Sequence, residues 1–252
     1  MIVLYEVKND VAIVTLNRPE LSNALTVEMR ELLGNYFEQA GRDSSVRCVL
    51  LQANGPSFCA SGDVKKMGNF TPASSQQLLK LAHRVIKNLA NIEKPDVASV
   101  RGAVAGIGWS MAMACDMIIA TDKAKFGEPE VKYGSGPATL LMPFIIGQKK
   151  TNELLFTGDT IDAEEALRIG LINKIVPEEQ LHDEVRALIK KIAPTPLSTL
   201  RLTKIGLIRA QEAIGIRQAI SANMDISAIL NGSDSAEQKE FDDIVRKEGL
   251  KQ

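Results

Sequence analysis

Side chains that bind metals or form disulfides are scarce in this chain. Three cysteines (Cys48, Cys59, Cys115) and two histidines (His83, His182) occur among 252 residues. Three scattered thiols cannot form a disulfide framework, and neither thiols nor histidines have the spacing of a zinc site. An excess of one charge sign is also lacking. Lys and Arg number 30 against 31 Asp and Glu, leaving a formal net charge of −1. Nucleic-acid binding needs a basic face, so that class is set aside. No apolar run is long enough to span a membrane, and the opening MIVLYEVKND has neither the basic start nor the apolar stretch of a secretion signal. Reduced thiols in the cytoplasm, with no nucleic-acid or membrane partner, are the expectation.

What is present fits a globular domain: 45% of residues are hydrophobic and 24% charged, and the length supports one sizeable core. Ile2 to Val7 and Val11 to Leu16 read as strands around the turn Lys8-Asn9-Asp10. A helix pattern runs from Thr26 to about Ala40, with Met29, Leu32, Leu33, Tyr36 and Phe37 on one face. Val46 to Gln52 reads as a buried strand, Ser75 to Ala90 as a second amphipathic helix, and Pro95 opens a strand at Val97. Beyond Pro137 the pattern is mostly helical. Asp162-Ala-Glu-Glu165 resembles a capping box, Ile172 to Val176 a short strand, and four helical segments follow Pro177. No internal sequence repeat is visible. Strand–helix alternation in the first half predicts an α/β core with a helical C-terminal region packed on it.

The richest stretch runs from Ser99 to Val131. A β-branched run feeds the glycine-rich turn Gly102 to Gly108, an apolar helix follows, then a second apolar run and the carboxylate Glu130. Glycines at 106 and 108 allow close backbone approach. The N–H groups that open a helix have no partner inside it and can bond an oxyanion. An oxyanion donor followed by a carboxylate points to proton transfer beside a carbonyl.

Six segments then matter in order: Phe58-Cys-Ala-Ser-Gly-Asp-Val-Lys-Lys-Met67, Gly102 to Gly108, Cys115-Asp116, Phe126-Gly-Glu-Pro-Glu130, Leu155 to Asp159, and Ala166 to Ile172. With these the chain resembles the crotonase (enoyl-CoA hydratase/isomerase) superfamily over nearly its whole length. The resemblance implies a crotonase-like spiral of ββα units over residues 1–194 and a helical trimerisation region over 195–252, assembled as a homotrimer or homohexamer. It implies an acyl-CoA substrate, with coenzyme A carried on the substrate and no separate cofactor.

Carried over residue by residue, the resemblance puts the first oxyanion N–H on Gly62 and the second on Ile107, where the family usually has glycine; the Ile side chain is expected to narrow the pocket. Asp63, Val64, Lys65 and Ser110 join Gly62 and Ile107 as substrate-binding residues. Of the two glutamates that hold water in the family's hydratases, the later matches Glu130 and the earlier falls on Ser110. A serine is a poor general base. The leading expectation is therefore an isomerase that shifts a double bond with Glu130 as sole acid/base. Enoyl-CoA hydratase is the alternative, with Ser110 or Glu128 helping to place water, and a non-catalytic acyl-CoA-binding paralogue the third.

Other residues invite plainer readings. Glu128 is expected at a surface or interface, in preference to a second catalytic carboxylate. Asp63 anchors its loop, and Asp116 caps or bonds the turn after its helix. His83 packs beside its helix stripe. Lys65 and Lys66 meet coenzyme A phosphates or stay solvated, and Cys59 and Cys115 are inert buried thiols. Leu197, Leu200, Leu202, Ile205 and Leu207 give the C-terminal helices an apolar face for a neighbouring subunit.

Overall fold

The computed structural model describes residues 1–63, 72–133, 135–137 and 139–216, with residues 218, 226 and 243. Strands β1 (Val3–Lys8) and β2 (Val11–Leu16) pair antiparallel with Lys8 opposite Val11. Asn9 and Asp10 both take positive φ, 51° and 62°, the twist that suits a two-residue hairpin turn. Helix α1 (Val27–Arg42) starts where the Thr26 hydroxyl accepts the Met29 N–H, and it buries Met29, Leu33 and Phe37.

From here the chain winds in a spiral. Strand β3 (Cys48–Ala53) leads to the short β4 (Cys59–Ala60) and helix α2 (Pro72–Ala90). Strand β5 (Asp96–Val100) leads to β6 (Ala103–Ala105) and helix α3 (Ile107–Ala114). Strand β7 (Met117–Thr121) leads to β8 (Lys125–Gly127) and a 3-10 turn at Pro129–Tyr133. Each turn lays one strand in a large sheet and one in a small sheet. β3, β5 and β7 are parallel neighbours in the first, as are β4, β6 and β8 in the second. The repeat is one of strand placement and register, which is why the sequence shows none.

Helices α4 (Met142–Ile146) and α5 (Gln148–Thr157) precede β9 (Thr160–Asp162), which closes the small sheet antiparallel to β8. The Asp162 side chain accepts the Glu165 N–H and caps α6 (Ala163–Arg168), as the capping box predicts. Strand β10 (Lys174–Val176) joins the edge of the large sheet, starting two residues later than the sequence pattern suggests. Helices α7 (Leu181–Ile192) and α8 (Leu197–Ala213) follow. The further helical segments expected toward the C-terminus lie mostly outside the described residues. No described helix is long and apolar enough to cross a membrane.

The main core lies under α1, α2 and α3, and a smaller one holds Leu181 and Val185 of α7 against Cys48, Val97 and Ile119 of the large sheet. β5 is buried along its whole length, as a strand covered on both faces must be. α8 reaches the body through polar contacts. Lys204 is buried and its ammonium meets the carboxylates of Asp96 and Asp116 and the Lys94 carbonyl. Asp96 and Asp116 also accept each other's backbone N–H, at 3.0 and 2.7 Å, so Asp116 has the structural role expected of it. Arg47 bonds the Ala193 and Thr195 carbonyls at the joint between α7 and α8.

Candidate active site

The site forms where β4 and β6 end. Their register pairs Cys59 with Val104 and Ala60 with Ala105. Ser61 and Gly62 follow directly on β4, and Gly106 and Ile107 on β6. A parallel bridge between Gly62 and Leu25 holds the first segment. It uses the Ser61 carbonyl, which accepts the Leu25 N–H at 2.9 Å, and the Asp63 N–H, which donates to the Leu25 carbonyl at 3.1 Å. The Gly62 N–H takes no part in that bridge. Ile107 is the first residue of α3, so its N–H has no acceptor within the helix. Its side chain packs into the main core and is only 4% exposed.

Glu130 enters from the third turn of the spiral. The contact point is Gly106, which has φ +54°. A Cβ placed there would lie 2.2 Å from the Glu130 Oε1 and 2.2 Å from the Ser61 Oγ. Gly106 precedes one candidate donor and Ser61 precedes the other, so the carboxyl of Glu130 sits one residue from each. A Cβ at Gly108 would lie 2.5 Å from the Cys59 Cβ, so that glycine lets α3 pack against β4. A loop scaffold backs the site. The Asn23 side-chain amide donates to the Asn54 and Ser57 carbonyls, and the Arg18 guanidinium pairs with Asp63 at 2.6 Å. Asp63 thus anchors its loop, with Arg18 a partner that the sequence reading did not single out.

The electrostatics are those of acids withdrawn from water. Both Glu130 oxygens are buried, and neither meets a hydrogen-bonding partner of good geometry. Burial pushes the Glu130 carboxyl above its ordinary range, and the Ser61 hydroxyl beside it moderates the rise without a well-formed bond. Glu128 corrects the sequence reading: it is 2% exposed, not at the surface, and its Oε1 has no partner. Burial, then the nearby charge of Glu130, push its pKa well above the usual glutamate value. Gly127 still belongs to β8, so its buried strand carries Glu128 inward; the sequence showed only two acids flanking a proline.

Ser110 is fully buried on α3, and its hydroxyl accepts one from Thr139 at 3.0 Å. Like Arg18 and Asn23, Ser61 and Thr139 carry no role that the sequence pattern reveals. Val64, Lys65 and Lys66 lie outside the described residues. Cys59 is buried and its thiol is pushed up to about 12, and burial also raises Cys115 well above its ordinary value, as inert thiols require. His83 is half-buried on α2, and burial lowers its pKa. Among the described residues no group of three or more His, Cys, Asp or Glu is placed to hold a metal ion.

Two sheets wound in parallel with a glycine-lined strand end facing a buried carboxyl define an α/β spiral enzyme scaffold. The chain belongs to the enoyl-CoA hydratase/isomerase family, whose model matches residues 6–239. It is similar to the short-chain-enoyl-CoA hydratase of Clostridium acetobutylicum, 33% identical over 83% of this chain and 82% of that protein. It is also similar to the crotonyl-CoA hydratase of Syntrophomonas wolfei, 34% identical over 90% of this chain and 86% of the relative. The crystal structure of an enoyl-CoA hydratase/isomerase from Xanthobacter autotrophicus superposes with a TM-score of 0.94 and 33% identity, covering 99% of this chain and 94% of that one. The crotonase-like fold expected from the sequence is therefore established, and the protein is an enzyme of this family. The names of the relatives favour hydration, the alternative reading, over the double-bond shift put first.

Proposed function

We propose that this protein hydrates short 2-enoyl-CoA thioesters, with Glu130 as the acid/base and the Gly62 and Ile107 N–H groups as the oxyanion site. The observation that carries the reading is the convergence at Gly106, which puts a buried carboxyl one residue from both N–H groups. Ionised Glu130 takes a proton from water while the water oxygen bonds to C3 of the enoyl group. The C2–C3 π electrons shift toward the thioester, whose oxygen becomes an enolate held by the two N–H donors. C2 then takes the proton back from Glu130, and the product is the 3-hydroxyacyl thioester. Preorganised donors at such an oxygen are commonly worth about a hundredfold or more in rate. Water and a proton are all that move, so the reaction asks for no cofactor beyond the coenzyme A on the substrate.

The relatives' names support this reading, and so does burial: a carboxyl withdrawn from water and raised in pKa is a better base near neutrality than a solvated one. A second reading keeps one specific support. Ser110 stands where the family's hydratases have a second glutamate, and its hydroxyl is engaged with Thr139, which suits a single-carboxylate isomerase. Incubation with crotonyl-CoA and with a 3-enoyl-CoA, followed by mass spectrometry, separates the two. Hydration adds the mass of one water to crotonyl-CoA. An unchanged mass with a migrated double bond from the 3-enoyl substrate marks the isomerase, and no change with either marks a non-catalytic binder.

Assembly as a trimer or hexamer is proposed with this function, residues 195–252 serving as the trimerisation region. Phe156 on α5 is 82% exposed and Leu202 on α8 is 69% exposed, apolar surface that a lone subunit has no use for. Light scattering that shows a monomer at micromolar concentration overturns that part. The buried, unpaired thiols suit a reducing cytoplasm.

A further inference from the structure

Ser61 has a backbone that its side chain does not favour. Its φ is +79°, in the left-handed region where a residue with a Cβ is strained. The other non-glycine residues with positive φ among the described residues are Asn9, Asp10, Ser22 and Asn23, all in turns, and three of them are Asn or Asp. Ser61 instead sits between the end of β4 and the proposed oxyanion residue Gly62. Its neighbours fix it there. The Ala60 N–H donates to the Ser22 carbonyl, the Leu25 N–H to the Ser61 carbonyl, and the Asp63 N–H to the Leu25 carbonyl. Glycine would hold this conformation without strain, so what serine adds is its hydroxyl. That hydroxyl occupies the space over Gly106, the same 2.2 Å from a Cβ position there as the Glu130 Oε1.

We propose that Ser61 is a positioning residue: the strained backbone delivers its hydroxyl to the Glu130 carboxyl and fixes that carboxyl beside Gly106, next to the oxyanion site. A carboxylate with both oxygens buried and otherwise unpartnered swings freely unless a donor fixes it. A hydroxyl donor also favours the ionised form against the effect of burial, so Ser61 keeps the base ready at lower pH. Strain at an active site is retained where the held group is needed. The inference rests on Glu130 as the base.

The test compares wild type with Ser61→Gly and Ser61→Ala in crotonyl-CoA hydration across pH. Ser61→Gly removes strain and hydroxyl together; Ser61→Ala removes the hydroxyl alone. Both are expected to lose about tenfold in kcat, as for a hydrogen bond to a charged group, with KM nearly unchanged. In both, the acidic limb of kcat/KM moves to higher pH. Ser61→Gly melts at the same temperature as wild type or higher, so its lost activity is not lost folding. An unmoved acidic limb in Ser61→Gly overturns the proposal, since a purely structural serine predicts that result. Glu130→Gln, assayed alongside, separates the two levels. If it is inactive while the Ser61 limb stays put, only the role of Ser61 fails; if it keeps turnover, the base assignment fails and the role of Ser61 with it.

Discussion

Two acid clusters lie at opposite ends of the same spiral turns, and they are built in opposite ways. Asp96 and Asp116 stand at the starts of β5 and β7, and there every charge has a partner: Lys204 between the carboxylates, and each backbone N–H on the other's side chain. Glu128 and Glu130 follow β8 at the other end. Three of their four carboxyl oxygens are buried without a hydrogen bond, on Glu130 both and on Glu128 the Oε1. Asp96 is at least as buried as the two glutamates, although Asp116 beside it is partly exposed, so burial alone does not mark function. A buried acid with its partners supplied fastens one element to another, here α8 to the body. A buried acid left without them is costly to the fold, and such a cost persists where a reacting molecule completes the set.

Changes at either end sharpen that contrast. The largest effect is expected from Gly106→Ala. The new methyl meets the Glu130 Oε1 and the Ser61 Oγ, and φ +54° adds strain. Displacing the carboxyl by about an ångström costs about a hundredfold in kcat/KM, measurable with crotonyl-CoA; an active Gly106→Ala enzyme breaks the convergence argument. At the other end, Lys204→Ala leaves the buried Asp96 without its cation, beside the partly exposed Asp116. Breaking such a cluster costs about 3 kcal/mol of stability, read by denaturant unfolding, and limited proteolysis should cut between α7 and α8. Turnover per folded molecule should hold. A loss of kcat with no loss of stability there would erase the distinction between the two clusters.

Ser110→Ala is a smaller change. It leaves the buried Thr139 hydroxyl without its acceptor, costing about 1 kcal/mol, with hydration within a few-fold of wild type. A collapse of hydration would show that Ser110 holds the water. The last effect is one of sign. The folded pKa of Glu128 is raised, so between the ordinary glutamate range and that raised value the folded state binds more protons than the unfolded one. Its contribution to stability therefore falls as pH rises through that window. Glu128→Gln stays neutral throughout, so it should unfold at higher denaturant concentration than wild type above the window and show a flatter pH dependence. Equal stability at every pH would mean that Glu128 is not withdrawn from water.

How much of this could be read in the sequence varies with the physics behind each feature. The glycines of the Gly102–Gly108 turn were legible because close backbone approach demands glycine, and Gly106 does meet Glu130 and Ser61 closely. Asp116 was legible as a structural acid, since it follows a helix directly. The spiral repeat was not: its turns share strand register and burial but no residue identities. Lys204 looks like any solvated helix lysine until α8 is docked over Asp96. Glu128 was misread because two acids around a proline resemble a surface turn, whereas β8 carries Glu128 inside. Ser61 is silent in the sequence, because a positive φ leaves no trace in a serine.

Glu130, buried in the turn that follows β8, is proposed to do the chemistry, and Glu130→Gln tests that most directly. Steady-state hydration of crotonyl-CoA by the variant should fall by about a thousandfold, the scale of a lost general base. Its unfolding midpoint at neutral pH should equal or exceed that of wild type, because a neutral amide replaces a buried charge. Turnover within a few-fold of wild type in a folded variant would contradict the account.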